Sequence, residues 1–331
     1  MKRSVLVASL PHGPRDPVTA LPPRVPGSVR RSTNIDQRRG DRFEVLAHGR
    51  DLRTAADGTT TVLDEVRLHL ELAGDGTITG IESDPPEPAL AELIGRNNQR
   101  GFRAAMDEAV PHHRDGGTVL HQLLDDVPMA ALINGYGWTR ELGDDFDLPT
   151  ESADRLRDRC AGWVNDGVML GAMDETGIFP IPLGPEAPDL DDDHDPLAWH
   201  DMEPMVPRSV RRRRRLDVVD GAPLTVDVHF RDSHLAADAA EDILHEYTLQ
   251  AAVDPATLVV LGCEAQARTL PWPECPNALA SAGRVTGEAV SDLRTKVHGD
   301  FRGTTTCTHL NDVLRSLTGV TALARGLASA Q

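Results

Sequence analysis

Pro207-Arg208-Ser209-Val210-Arg211-Arg212 repeats Pro26-Gly27-Ser28-Val29-Arg30-Arg31 at an offset of 181 residues. The same offset pairs Ile35-Asp36 with Leu216-Asp217, and Val62-Leu63-Asp64-Glu65 with Ile243-Leu244-His245-Glu246. Leu68 and Leu72 fall on Leu249 and Val253. Further along, His121 aligns with His309 at an offset of 188, so the second copy carries about seven extra residues around Thr269 to Cys275. One offset held across separated matches is the signature of an internal duplication. The pattern predicts two tandem related domains.

Each copy has the same order of signals. Alternating segments come first, Val66–Leu72 and Thr77–Ile81 in the first copy, and Leu224–Phe230, Tyr247–Val253 and Thr257–Leu261 in the second. Gly74-Asp75-Gly76 and Asp254-Pro255 punctuate them as turns. Strands joined by short turns predict an antiparallel meander. Helical patterns follow over Asn277–Val290, Ser291–Val297 and Asn311–Leu327. Strands before helices is an α+β order, with helices packed on one face of each sheet. Residues 1–23 read as a flexible arm, 24–135 as a degenerate first repeat, 136–205 as a connector and 206–331 as the second repeat. The connector reads as helical over Ser152–Trp163 and as an irregular, acidic, Pro-rich linker over Pro180–Asp195.

The chain has 331 residues and a formal charge of -18, which points away from nucleic acid as a partner. Aromatic residues are 4% of the total, too few for a broad base-stacking surface. No run of about 18 apolar residues is present, so no membrane span is expected. The apolar stretch Val5–Leu10 is stopped by Pro11-His12-Gly13-Pro14 before it reaches the length of a signal sequence, and the expected location is the cytoplasm. The unbroken run Arg211–Arg215 in so acidic a chain is expected to make internal ion pairs. Asp189-Leu190-Asp191-Asp192-Asp193-His194-Asp195 lacks the Gly and terminal Glu of an EF-hand loop and reads as a solvated linker.

The chemistry-bearing residues gather in the second copy. Cys307-Thr308-His309-Leu310 opens a helical pattern, Cys275 follows a Pro-rich turn, and His245 opens a strand. Zinc and iron both take thiolate and imidazole ligands. The expectation is a soft-ligand metal site formed by His245, Cys275, Cys307 and His309, holding zinc or iron. In the first copy His245 is replaced by Asp64 and Cys307 by Val119, and only His121 persists. Glu246 and Asp312 are the nearest candidates for an acid or base, and Cys160 and Cys263 read as structural.

The second copy resembles a bacterial domain-of-unknown-function family, number 2889. The residues that carry the resemblance are Arg212-Arg213-Arg214-Leu216, Ile243-Leu244-His245-Glu246, Cys275-Pro276 and Cys307-Thr308-His309-Leu310, and it covers about 205–325. The family's second element usually reads His-Asp, where this chain has His245-Glu246. The chain also bears a more distant resemblance to iron–sulfur scaffold proteins of the IscU/NifU type. Cys275-Pro276-Asn277-Ala278-Leu279-Ala280-Ser281 is similar to their Cys-Gly-Ser-Ala-Ile-Ala-Ser helix start. That resemblance implies a SufE/NifU-like fold bringing strand, middle helix and last helix together, and it implies an iron–sulfur centre as one form of the cofactor. The scaffold's first cysteine falls on Ile243 and its His-Cys order becomes Cys307-x-His309.

Three readings of function stay open at this level. One is a metal-binding domain, with or without catalysis. The second is a metal-free enzyme using Cys307 as nucleophile and His309 as base. The third is a non-catalytic carrier or interaction protein. The partner is an unnamed small molecule or protein, and the two repeats are expected to pack on each other.

Overall fold

The structure is a computed structural model, and it describes residues 10–39, 43–142, 154–177, 179–191 and 194–328. Eight strands form the frame: β1 (Ser28–Arg39), β2 (Phe43–Thr54), β3 (Thr60–Leu72), β4 (Ile78–Asp84), β5 (Ser209–Val219), β6 (Leu224–Leu235), β7 (Glu241–Val253) and β8 (Val260–Thr269). They lie in one antiparallel sheet in the order β4-β3-β2-β1-β5-β6-β7-β8. The expectation of a separate sheet in each copy is therefore corrected. Two four-stranded sheets would leave β1 and β5 as open edges with unpaired N–H and C=O groups. Pairing β1 with β5 removes both edges at once.

The sheet is symmetric in detail. The β1–β5 register sets Thr33 opposite Arg214, and these two residues are also counterparts at the offset of 181. The register of β2 and β3 shifts at Asp51/Leu52, and that of β6 and β7 at the corresponding Asp232/Ser233.

Buried charge locks this register. Arg30 bonds Asp217 through two contacts of 2.7 Å, and its counterpart Arg211 bonds Asp36, the counterpart of Asp217, at 2.7 and 2.6 Å. Each pair is also a directly opposed pair of the β1–β5 ladder. A slip of one residue would turn these side chains to the other face and strand four buried charges. The rest of the arginine run is also spent internally. Arg212 reaches Asp232, Asp126 and Asp312, Arg214 reaches Asp126, and Arg215 reaches Asp217 and Asp227.

One face of the sheet carries the helices. The first half contributes α1 (Phe102–Ala109), α2 (Pro111–Gly116) and the long α3 (Val119–Leu142). The second contributes α5 (Leu293–Asp300), α6 (Thr308–Ser316) and α7 (Val320–Ala328), while α4 (Val168–Thr176) comes from between the halves. Two large apolar cores fill this side, with a smaller cluster of Ile133, Val210 and Leu244 beside them. One centres on Leu68, Leu70, Phe102 and Leu123, the other on Phe230, Tyr247, Leu310 and Val313. The domain boundary expected at 135/136 falls inside α3. The helix expected over Ser152–Trp163 does not continue past Asp154, where turns lead to a short 3-10 segment, Ala161–Trp163; residues 152 and 153 lie outside the described residues.

Segments expected to be loose pair with the sheet edge at β7 and β8 and cover the opposite face. Gly13, Pro14 and Asp16 of the arm exchange backbone hydrogen bonds with Arg268, Leu270 and Pro271 at the end of β8. Ala187 and Pro185 of the connector bond Glu241 and Ile243 at the start of β7. Arg24 grips Asp195, and Arg50 donates to the carbonyls of Leu197 and Trp199. His200 is buried between Ser32 at 2.8 Å and Asn34 at 2.7 Å. The described part of the arm and the connector thus form a third layer, and the expectations of a flexible arm and a solvated linker are corrected there. Buried arginines on this face need acceptors, and these strap carbonyls supply them. Asp192 and Asp193 lie outside the described residues.

Candidate metal centre

In antiparallel β6 and β7, Asp232 stands directly opposite His245. Thr308 opens α6, and the first turn of that helix carries His309 back over the same point of the sheet. The two imidazoles stack with ring centroids 3.5 Å apart and planes 16° apart. His245 Nδ1 lies 3.8 Å and His309 Nε2 3.9 Å from Asp232 Oδ2. One ligand-type atom from each of the three residues falls within 4.8 Å of the other two. A tetrahedral ion with bonds of about 2.1 Å needs ligand atoms about 3.4 Å apart, so a small contraction and a splaying of the rings closes the site.

Each member is held by its surroundings. Both oxygens of Asp232 accept from Arg212, at 2.8 and 3.0 Å, and the carboxylate is wholly buried. Burial raises its pKa, against the pull of Arg212. Burial, reinforced by Arg212, pushes His245 down to about 3. Burial and the charge of a protonated His245 hold His309 well below the usual histidine range. Both imidazoles are therefore neutral at neutral pH, the form that ligates metal. His245 Nδ1 is buried without a hydrogen-bond partner, and an unpaired buried polar atom of this kind is destabilising unless something binds it.

The thiols sit around this group rather than within it. Cys307 caps α6, its Sγ 3.9 Å from His309 Nδ1, and it accepts a hydrogen bond from Tyr247 Oη at 3.3 Å. It stands behind the imidazole, away from the edge that faces Asp232. Cys275 opens the 3-10 segment Cys275–Val285, which has 11 residues against six in the corresponding Pro88–Leu93. Its Sγ lies 2.6 Å from where a Cβ on Gly162 would stand, so only glycine fits at that position. Burial is the largest influence on both thiols, and it raises both. Cys160, at the same place, is pushed up to about 12.

His245, Cys275, Cys307 and His309 all line one cavity of about 560 Å³, and Cys160 lines it with them. Glu246 does not. Alternation along β7 turns it to the strap face, where it accepts from His229, Arg231 and the backbone N–H of Val18. Asp312 is also diverted, bound to Arg212 at 2.9 Å and to Arg315. Neither is free to serve as acid or base beside the imidazoles. Asp232 is the member that motif reading missed. Its counterpart Asp51 pairs with Arg31 just as Asp232 pairs with Arg212, so the repeat itself carried the signal. In the first half the equivalent position holds Asp64, which accepts from the N–H of Val119 and caps α3 instead.

Residues 210–323 match the model of a family described as a protein of unknown function, DUF2889. No curated protein and no solved structure matches the chain at a significant level. The matched segment contains Asp232, His245, Cys275, Cys307 and His309. It leaves outside it Tyr136, Cys160, Trp163 and Phe179, which line the same cavity. Among the described residues no helix is long and apolar enough to cross a membrane.

Proposed function

We propose that the protein binds one divalent metal ion through Asp232, His245 and His309. The observation that carries this reading is the meeting of the three side chains beside a cavity that His245 and His309 line, with His245 Nδ1 buried and without a hydrogen-bond partner among the described residues. Two imidazoles and one carboxylate suit zinc or iron(II) and leave coordination positions open to a substrate or water. When bound, such an ion supplies Lewis-acid activation of a substrate oxygen or of water. Arg212 fixes the carboxylate. Cys307 and Thr308 face His309 Nδ1, so an N–H on that atom leaves the lone pair of Nε2 directed at the ion. In this reading Cys307 orients a ligand and Cys275 lines the cavity. The set favours a single ion over an iron–sulfur cluster, which needs thiolates.

The proposal extends to the origin of the site. The reciprocal Arg30–Asp217 and Arg211–Asp36 pairs and the matching β-bulges support a tandem duplication. The first copy keeps the scaffold and His121 but carries Asp64 in place of His245, so the imidazole pair is missing there. A metal-free thiol mechanism is less well supported, because burial disfavours both the thiolate of Cys307 and the imidazolium of His309.

Metal content and titration calorimetry with zinc and iron(II) test the reading. One equivalent bound by the wild type, with affinity reduced at least tenfold in His245→Ala and His309→Ala and little changed in Cys275→Ser, is expected. Equal binding in the wild type and in His245→Ala, or none in either, would refute it.

A further inference from the structure

The cavity beside the candidate metal centre has a marked composition. The chain contains four Trp, two Tyr and six Phe. Four of these twelve aromatic residues, Tyr136, Trp163, Phe179 and Trp272, line this one cavity. Trp163 and Phe179 face each other with ring centroids 5.7 Å apart. In so aromatic-poor a chain, that concentration marks a surface for flat apolar rings, which gain edge and face contacts beyond simple area burial. The volume of about 560 Å³ lies within the range of small-molecule sites.

Charge at the rim narrows the choice. Arg15 and Arg159 also line the cavity, and both residues are exposed, which places them at its mouth. Arg15 is held there by a 2.7 Å hydrogen bond to the carbonyl of Leu183. Among the described residues no acidic side chain lines the cavity. A mouth with two guanidinium groups favours an anion, and guanidinium matches a carboxylate in two-point geometry. In a chain of charge -18, such a spot is a local inversion of the surrounding field.

We propose that the cavity takes a small aromatic carboxylic acid. Its ring lies among Tyr136, Trp163, Phe179 and Trp272, and its carboxylate meets Arg159 and Arg15. The far edge of the ring then faces His245 and His309. The ligand class follows from the cavity alone, while the placing of a metal against that far edge rests on the function proposed above. Recognition is divided accordingly: the imidazoles come from the family-matched segment, and Tyr136, Trp163, Phe179, Arg15 and Arg159 come from outside it.

The test uses 2-naphthoate, 2-naphthol and octanoate as probes on the full-length protein, read by calorimetry and by tryptophan fluorescence. Saturable 1:1 binding of 2-naphthoate is expected, at least tenfold tighter than octanoate. Arg159→Glu, at an exposed position, should weaken 2-naphthoate at least fivefold and leave 2-naphthol within twofold. Phe179→Ala should weaken both aromatic probes. Circular dichroism confirms that each variant is folded. Octanoate binding as tightly as 2-naphthoate, an unchanged 2-naphthoate affinity in Arg159→Glu, or no 2-naphthoate binding at millimolar concentration would each overturn the proposal. The same titrations in chelator and in His309→Ala separate the two readings. Naphthoate binding by a protein that holds no metal sustains this inference and removes the metal site; metal binding without naphthoate binding does the reverse.

Discussion

Replacing Arg212 with Met strands one carboxylate. Arg212 bonds three acids, but two of them keep other cations: Asp126 retains Arg214 at 2.5 Å and Asp312 retains Arg315. Among the described residues Asp232 keeps the neutral imidazoles at 3.8 and 3.9 Å and the more distant charge of Arg214, and it is wholly buried. Removing one partner of a buried ion pair costs about 3–5 kcal/mol, because the remaining charge is left without compensation. Urea denaturation at pH 7 in chelator should show a loss of that size. Two further results separate a stranded charge from lost packing of Arg212 over the Phe230 ring, which lies 4.6 Å away. First, Arg212→Met with Asp232→Leu should recover most of the loss. Second, zinc at about a hundred times its dissociation constant should return about 2.7 kcal/mol, by binding the folded state alone. The pH dependence has a definite sign. Burial holds the folded-state pKa of Asp232 above its unfolded value, so the folded state binds the proton more readily. The deficit of the single variant therefore shrinks as pH falls from 7 toward the usual carboxylate range. A double variant no more stable than the single one would refute the argument from stranded charge.

Three other outcomes are expected. Arg30→Met and Arg211→Met remove equivalent members of the reciprocal pairs with Asp217 and Asp36, so each should lose about 3–5 kcal/mol in urea denaturation; losses differing by more than about 2 kcal/mol would contradict the equivalence. His229 is fully buried and pushed down to about 4, so the unfolded chain takes its proton first and stability should fall by roughly 3 kcal/mol between pH 6.5 and 4. His229→Gln should flatten that decline, and an unchanged pH profile would argue against it. Finally, a Cβ at Gly184 would run into the backbone carbonyl of Ile243, so Gly184→Ala should loosen the strap; limited proteolysis near residue 185 should quicken at least severalfold, and an unchanged rate would place the strap's hold elsewhere.

Part of the strand pattern was legible where strands alternate locally, whereas β2 and β5 are buried along most of their length and carry no such alternation. Val66–Leu72 and Tyr247–Val253 fall within observed strands. The internal use of Arg211–Arg215 was also legible, since five adjacent cations in an acidic chain find carboxylates nearby. The face on which Glu246 lies was readable as well: it follows His245 on a strand, and neighbours on a strand point apart. Asp232 was harder to see. It belongs to no short motif, and its meaning depends on the β6–β7 register that sets it opposite His245.

The amino-acid sequence by itself determined the matches held at one offset of 181 residues and the placing of Cys263, Cys275 and Cys307 in the second half, because these are properties of order along the chain. Only the tertiary structure decided that β1 and β5 join the halves into one sheet, that Asp232 stands with His245 and His309 while Cys307 stands behind them, and that the arm and connector close the opposite face. The physical reason is the same in each case. Those outcomes are contacts between residues far apart in sequence. They are selected by closing open strand edges and by pairing charges that burial would otherwise leave alone, and neither need is visible until the whole chain is packed.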